Sequence, residues 1–344
     1  MGSDKSRILM IQTGGTVGQE PNETGVLVPS DKNYMDRVPA LDTIAHVDVQ
    51  RTANIDSTNM GTSERKMLAE MIYKNHLHYD GFVIVHGTDT MADTAAALNY
   101  MIQNLGKPIV LTGAQQSIFA QVSDAPNNLH YAVKVATMDF GEVIISFGDK
   151  VVRGNRAIKV SEHSLNAFSS PRVQPVAEIG LGIMPAEHRI RRYNGDPILF
   201  TEFDTFMESY DQSSGTNTKI FENYVDSEDV HGILISAYGA GNIQDRLIPH
   251  IRKASEKGKP VLVVTNCLLG AADMGIYAVG SAPLEAGAIS AGDLTKETAM
   301  QKLMYAVGRA NKEGYQERER LLFVKTLIHR EYAKDIGDFQ TRFG

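Results

Sequence analysis

Four stretches carry side chains of the kinds that do chemistry. Thr13-Gly14-Gly15-Thr16 sets two hydroxyls around a glycine pair, and His86-Gly87-Thr88-Asp89-Thr90 sets a hydroxyl beside a carboxylate. Asn54-Ile55-Asp56-Ser57-Thr58 is a string of small polar groups, and Lys159 lies in the otherwise apolar Ala157-Ile158-Lys159-Val160. A threonine hydroxyl attacks a carbonyl only if a base removes its proton or a nearby cation lowers that cost. Asp89 can hold a lysine ammonium, and that lysine can relay a proton from Thr88; Lys159 is the candidate. Each stretch also has a plain structural reading. The glycine pair suits a tight turn or close approach to a ligand, although it matches neither GxGxxG nor a P-loop. Thr88 or Asp89 suits a helix N-cap. Lys159 suits a snorkelling surface residue, and residues 54–60 suit a turn ahead of a helix.

The elements that must position these groups are legible as a rhythm. Apolar runs at 8–11 (ILMI), 82–85 (FVIV), 108–111 (PIVL), 232–236 (GILIS) and 260–264 (PVLVV) are each followed by a polar cluster. Between them fall helical patterns: one from Ser63, with Leu68, Met71 and Ile72 on one face and Thr62 or Ser63 as cap; one from Met91; and one over 247–258. The Met and Tyr residues of 300–310 fit a core helix face. Short continuous apolar runs alternating with helices predict buried parallel strands of an α/β fold, whose ligands collect at the carboxyl ends of the strands. The polar stretch 185–197 is the expected linker, and 208–218 reads as an exposed loop inside a second unit.

Composition bounds the partners. With 344 residues, 42% apolar and 22% charged, the chain reads as a soluble globular protein of two domains. A net charge of -7 and the lack of a dense Lys/Arg run argue against nucleic acid or a membrane surface, leaving a small molecule as partner. Cys267, the one cysteine, excludes an internal disulfide and a cysteine-rich metal site and suits a reducing cytoplasm. No apolar run approaches the ~20 residues of a membrane span, and the few residues before Ile8 are too short for a signal peptide. The ten histidines show no metal-ligand spacing, so no metal is expected.

Taken together, TGGTVG, IDSTNM, YDGFVIVHGTDTMADTAAAL, PIVLTGAQ, SDAPNNLHYAV, RGNRAIK, SAYGAGN and LEAGAISAGDLTKETAMQKLMYAVG, in this order, resemble the L-asparaginase family in its bacterial and archaeal cytoplasmic branch. The resemblance covers most of the chain, and TGGT with HGTDTM at this spacing is far more specific than either alone. It implies two α/β domains, 1–190 with a larger doubly wound sheet and 197–344 with a smaller flavodoxin/Rossmann-like parallel sheet. It implies hydrolysis of L-asparagine to L-aspartate and ammonia without cofactor, with Thr16 as nucleophile and Thr88, Asp89 and Lys159 moving a proton. Asp56, Ser57 and Thr58 then match contacts to the substrate's ammonium and carboxylate, Gly15 lets the loop close on the ligand, and backbone near Ala114 stabilises the oxyanion. Asn242 is the residue expected to complete a neighbour's site in a homodimer or homotetramer, and Asn266 and Cys267 match a regulatory asparagine site. One departure concerns the lid: where the family usually carries a tyrosine, this chain has Val26 or Leu27, so either Tyr34 reaches back or the Thr16 proton takes another route. Alternatives in the same chemistry are a glutaminase-asparaginase and an ammonia-releasing amidotransferase subunit, the latter disfavoured by the absence of a preceding domain; the alternative from another class is a non-catalytic amino-acid-binding protein.

Overall fold

The computed structural model describes residues 5–337 apart from 31, 33, 53, 276 and 277, and describes only the backbone at 29, 34 and 278–280. The chain divides into two compact units, Met1–Leu199 and Phe200–Gly344.

The first unit is built on an eight-stranded sheet. Its spatial order is His46–Arg51, Arg7–Gln12, Gly81–Val85, Ile109–Thr112, Val143–Phe147, Lys150–Arg153, Ala177–Ile179 and Ile183–Pro185. The first five are mutually parallel and the last three join antiparallel. Alternate residues of a strand face opposite sides of the sheet. Ile8, Met10, Val83, Val85, Val110 and Ile144 therefore pack with Leu129 and Val133 of the helix Ala125–Ala136. Leu9, Ile11, Phe82 and Ile84, pointing the other way, are equally buried. That double burial is why these strands are continuous apolar runs in the sequence. The antiparallel extension was not foreseen, because its strands are short and partly polar.

The helix expected from Ser63 runs Thr62–Asn75 with Leu68 and Ile72 buried. Its N-cap is Gly61 rather than Thr62 or Ser63, and the Glu64 carboxylate accepts the Gly61 N–H at 2.9 Å. The Glu64 side chain, three residues into the helix, thus serves the N-cap N–H, the half of a capping box that needs no side chain at the cap and so survives with glycine there. Residues 185–197 pack along the first unit. Ile190 N–H donates to Glu142 Oε1 at 2.7 Å, and the Arg192 guanidinium donates to the carbonyls of Met138 and Ala136, both at 2.7 Å. Glu142 is itself held by Arg153, Nε to Oε2 at 2.5 Å, with both side chains buried. Ile198–Leu199 then pairs with Ile102–Gln103.

The second unit carries four parallel strands in the order Met207–Asp211, Gly232–Ala237, Val261–Thr265 and Ile289–Ser290. Ile233, Ile235, Val261 and Val263 pack with Phe221, Val225, Ile251 and Ala254 from the flanking helices. Residues 208–211, read from sequence as loop, are instead most of the edge strand Met207–Asp211. One side of it pairs with Gly232–Ala237 and the other is the open edge of the sheet, where Glu208 and Ser209 tolerate polarity while Tyr210 supplies the buried contact. The core helix expected at 300–310 runs Lys296–Lys312, with Leu303, Tyr305, Ala306, Val307 and Ala310 buried. No helix among the described residues is long and apolar enough to cross a membrane.

Candidate active site

Four adjacent parallel strands deliver four polar loops to one edge of the first sheet. Gln12 leads into Thr13–Thr16, Arg51 into the 54–58 string, Val85 into His86–Thr90, and Thr112 into Gly113-Ala114-Gln115. The ladder continues into the loops. Thr13 N–H and Oγ1–H both donate to the Val85 carbonyl at 3.0 Å, Ile55 N–H donates to the Thr13 carbonyl at 2.9 Å, and His86 N–H donates to the Thr112 carbonyl at 2.8 Å.

Gly15 has φ of 85°, and a Cβ built on it would stand 2.6 Å from the backbone of Gly87. A side chain at 15 would thus be strained by its backbone and blocked by its neighbour, so the two loops meet only because residue 15 is glycine, while a Cβ on Gly87 would meet Ser57 instead. Thr16, half-buried, opens the single 3-10 turn Thr16–Gly18 directly after this contact.

Beside it, Lys159 Nζ donates to Thr88 Oγ1 at 2.8 Å and pairs with Asp89 Oδ1 at 2.6 Å. Thr88 is buried, the Lys159 side chain is 20% exposed and that of Asp89 is 56% exposed, so the cluster has a covered hydroxyl and an open carboxylate. Since the lysine donates to Thr88 Oγ1, the threonine proton is free to point elsewhere and the ammonium favours any negative charge on that oxygen. Neither Thr88 nor Asp89 caps the following helix: its N-cap is Thr90, whose hydroxyl donates instead to the Ser57 carbonyl at 2.6 Å. Lys159 reaches the cluster from the two-residue strand Ile158–Lys159, paired with Phe168–Ser169.

Asp56 caps the 3-10 turn Ser57–Asn59, its Oδ1 accepting Thr58 N–H at 2.9 Å and Thr58 Oγ1–H at 2.7 Å. These bonds hold its carboxyl below the usual aspartate range. Ser57 is buried with its side chain against Gly87, whereas Thr58 is exposed. Ala114 is buried in the third loop. His86 is fully buried, and burial pulls its pKa down to about 4, so the ring is neutral. Its Nδ1 donates to the Gly87 carbonyl at 2.7 Å, which orients the backbone just ahead of Thr88.

Three positioning residues were not singled out from sequence. Asp124 accepts the N–H groups of Gln115 and Gln116 at 3.0 and 2.9 Å. Asn128 donates to the Gly113 carbonyl at 2.9 Å and to Asp124 Oδ2 at 3.0 Å. Gln115 Nε2 donates to the carbonyls of Glu162 and Ser164 at 2.9 and 3.1 Å, tying the Ala114 loop to the segment that follows Lys159. The Ser123-Asp124 pair ahead of a helix with Pro126 was the available signal.

The remaining candidates lie in the second unit. Half-buried Asn242 closes a turn against Tyr238, N–H to carbonyl at 2.8 Å, and its own carbonyl accepts Gln212 Nε2 at 2.8 Å. Asn266 and Cys267 follow the strand Val261–Thr265 and are exposed; Cys267 N–H donates to Thr265 Oγ1 at 3.0 Å. In the first unit Val26 and Leu27 are exposed, 58% and 45%, at the end of the hairpin Gln19–Pro21/Leu27–Pro29. The side chain of Tyr34 lies outside the described residues.

A parallel α/β fold with such a cluster at its strand ends has the build of a hydrolase. The family described as Asparaginase, N-terminal, matches residues 7–191, and the Glutaminase/Asparaginase C-terminal domain matches residues 211–321. The L-asparaginase of Thermococcus kodakarensis is 33% identical over 306 residues, which span 88% of this chain and 93% of the relative. L-asparaginase 1 of Escherichia coli K12 is 32% identical over 326 residues, 89% of this chain and 93% of the relative. The solved structure of the thermostable T. kodakarensis L-asparaginase superposes with a TM-score of 0.85 at 32% identity, covering 96% of this chain and 99% of that one. The chain belongs to the asparaginase family and is an amidohydrolase.

Proposed function

We propose that the protein hydrolyses L-asparagine to L-aspartate and ammonia through an ester on Thr16. The observation that carries the proposal is the double engagement of Lys159 Nζ, 2.8 Å from Thr88 Oγ1 and 2.6 Å from Asp89 Oδ1, beside a loop whose glycine pair leads directly to Thr16. Thr16 Oγ attacks the side-chain amide carbon, the C–N bond breaks, and the hydroxyl proton leaves with the nitrogen as ammonia. Water then adds to the ester carbon, its proton passing through the Thr88–Lys159 pair to Thr16 Oγ as the C–O bond breaks and aspartate departs. Backbone N–H groups near Ala114 and Thr88 serve the oxyanion, a contribution of roughly 3 kcal/mol per donor in comparable sites.

Asp56, Ser57 and Thr58 take the α-ammonium and α-carboxylate, Asp89 adds a second carboxylate for the ammonium, and Gly15 permits close approach. We extend the reading to a cytoplasmic homodimer or homotetramer in which Asn242 completes the neighbour's site. Asn266 and Cys267 form a regulatory asparagine site in that assembly. The division into domains 1–190 and 197–344 belongs to the same proposal.

Ammonia release from L-asparagine and L-glutamine, measured side by side, tests the substrate. Release from asparagine with much slower release from glutamine is expected. Comparable rates make the protein a glutaminase-asparaginase, since one methylene is worth only ~1 to 3 kcal/mol of discrimination. Asparagine binding without release from either substrate overturns the enzyme reading in favour of a binding protein.

A further inference from the structure

His86 is fully buried just past the strand Gly81–Val85, and the proposed mechanism gives it no step. Its uncharged ring has one N–H, and a carbonyl can only accept, so the 2.7 Å contact with the Gly87 carbonyl sets that N–H on Nδ1. Nε2 is left as a buried acceptor with no partner among the described residues. The ring therefore makes its one hydrogen bond to the peptide that joins Gly87 to Thr88.

That peptide is trans, so its C=O and N–H point in opposite directions within one plane. With the Gly87 oxygen drawn to the interior ring, the Thr88 N–H faces away from His86. Thr88 is buried, and nothing among the described residues accepts from its N–H. A buried N–H ordinarily has an acceptor, so this donor suits an oxygen that a ligand brings. The loop that carries Thr16 abuts the same segment, since a Cβ on Gly15 would stand 2.6 Å from Gly87 Cα and N.

His86 also touches the neighbouring loop through its backbone. Its N–H donates to the Thr112 carbonyl at 2.8 Å, and a Cβ on Gly113 would stand 2.3 Å from its carbonyl oxygen. The buried Ala114 that follows likewise has an N–H with no acceptor among the described residues. One residue thus packs against both loops whose N–H groups are assigned to the oxyanion.

We propose that His86 is a positioning residue for the oxyanion site: by holding the Gly87 carbonyl inward, its Nδ1–H aims the Thr88 N–H at the oxygen of the substrate's side-chain amide. The inference rests on the amidase reading. It gives His86 no contact with the substrate and no proton to transfer.

The test compares ammonia release from L-asparagine by the wild type, His86→Leu, His86→Asn and His86→Gln, with thermal midpoints on the same samples. An oxyanion donor acts chiefly in the transition state, so His86→Leu is expected to lose about tenfold or more in kcat with KM within about threefold of the wild type. An Asn side chain carries Nδ2 at the branch where the ring carries Nδ1, so His86→Asn should recover most of the loss. The amide of His86→Gln stands one carbon further out and should not. If His86→Leu fails to fold, the Asn and Gln variants carry the same comparison. Wild-type kcat in His86→Leu, a loss confined to KM, or a kcat in His86→Asn no better than in His86→Gln would each overturn the proposal. A wild type that releases no ammonia overturns the amidase reading and this inference with it, whereas an active wild type with unaffected His86 variants overturns this inference alone.

Discussion

At the scale of single residues, the proposed chemistry turns on a lysine held between a hydroxyl and a carboxylate. Lys159 lies 71 residues from Thr88, so nothing in spacing connects them; types and family resemblance named the residues, and only the fold brings the side chains into contact. Lys159→Met keeps the length of the side chain and removes its charge. Its partner Asp89 is more than half exposed, so the loss of the ion pair costs little stability. The variant is expected to fold with a thermal midpoint near that of the wild type and to lose roughly 10²- to 10⁴-fold in turnover, measured as ammonia release. His86 makes a different prediction. Its folded pKa, about 4, lies below the ordinary 6.5, so above pH 6.5 it contributes no pH dependence. As pH falls from 6.5 towards 4 the unfolded chain takes up a proton that the folded chain refuses, and stability declines by up to about 3 kcal/mol. Denaturant titrations across that window should show the decline in the wild type and a shallower one in His86→Gln.

At the scale of elements, the parallel strands were legible because burial on both faces leaves unbroken apolar runs such as Phe82–Val85. The pieces that aim the site were not. Ile158–Lys159, which carries Lys159, is only two residues long, and in the second unit, also missed, the edge strand Met207–Asp211 is partly polar and lacks the alternation that marks a strand. The helix N-caps were also misread, since Gly61 and Thr90 hold positions for which flanking hydroxyls or carboxylates are the stronger signals. The turn at Gln115–Gln116 is held by one carboxylate reached from the next helix. Asp124→Ala removes the acceptor for both amides and for Asn128, costing about 1–3 kcal/mol. If the Ala114 loop serves the oxyanion as proposed, turnover should fall by more than that loss of stability accounts for. Activity measured well below the variant's unfolding temperature separates the two effects.

At the scale of the whole molecule, two compact units follow from two independent cores, a mixed sheet in the first and a parallel sheet in the second, each packed against its own helices. Composition and charge set the class of partner but carry no trace of how the end of the described chain is fastened. That is done by Lys302, in the core helix of the second unit, whose Nζ meets Asp335 Oδ2 at 2.6 Å with both side chains fully buried. Nζ also donates to the Arg330 carbonyl at 2.8 Å. Removing one member of such a pair leaves a buried charge, so Asp335→Ala should destabilise the second unit by about 3–5 kcal/mol, read as an early transition in thermal unfolding. A lysine in a run of helix residues gives no sign of this from sequence, because lysine is ordinarily a solvated residue.

The central claim, that Thr16 is the nucleophile, is tested most directly by ammonia release from L-asparagine in Thr16→Ala against the wild type, with asparagine binding and the thermal midpoint measured on the same samples. The account predicts a loss of roughly a thousandfold or more in turnover, with binding retained and the midpoint little changed. A Thr16→Ala protein that keeps most of the wild-type rate would contradict it and move the nucleophile to Thr88 or to water.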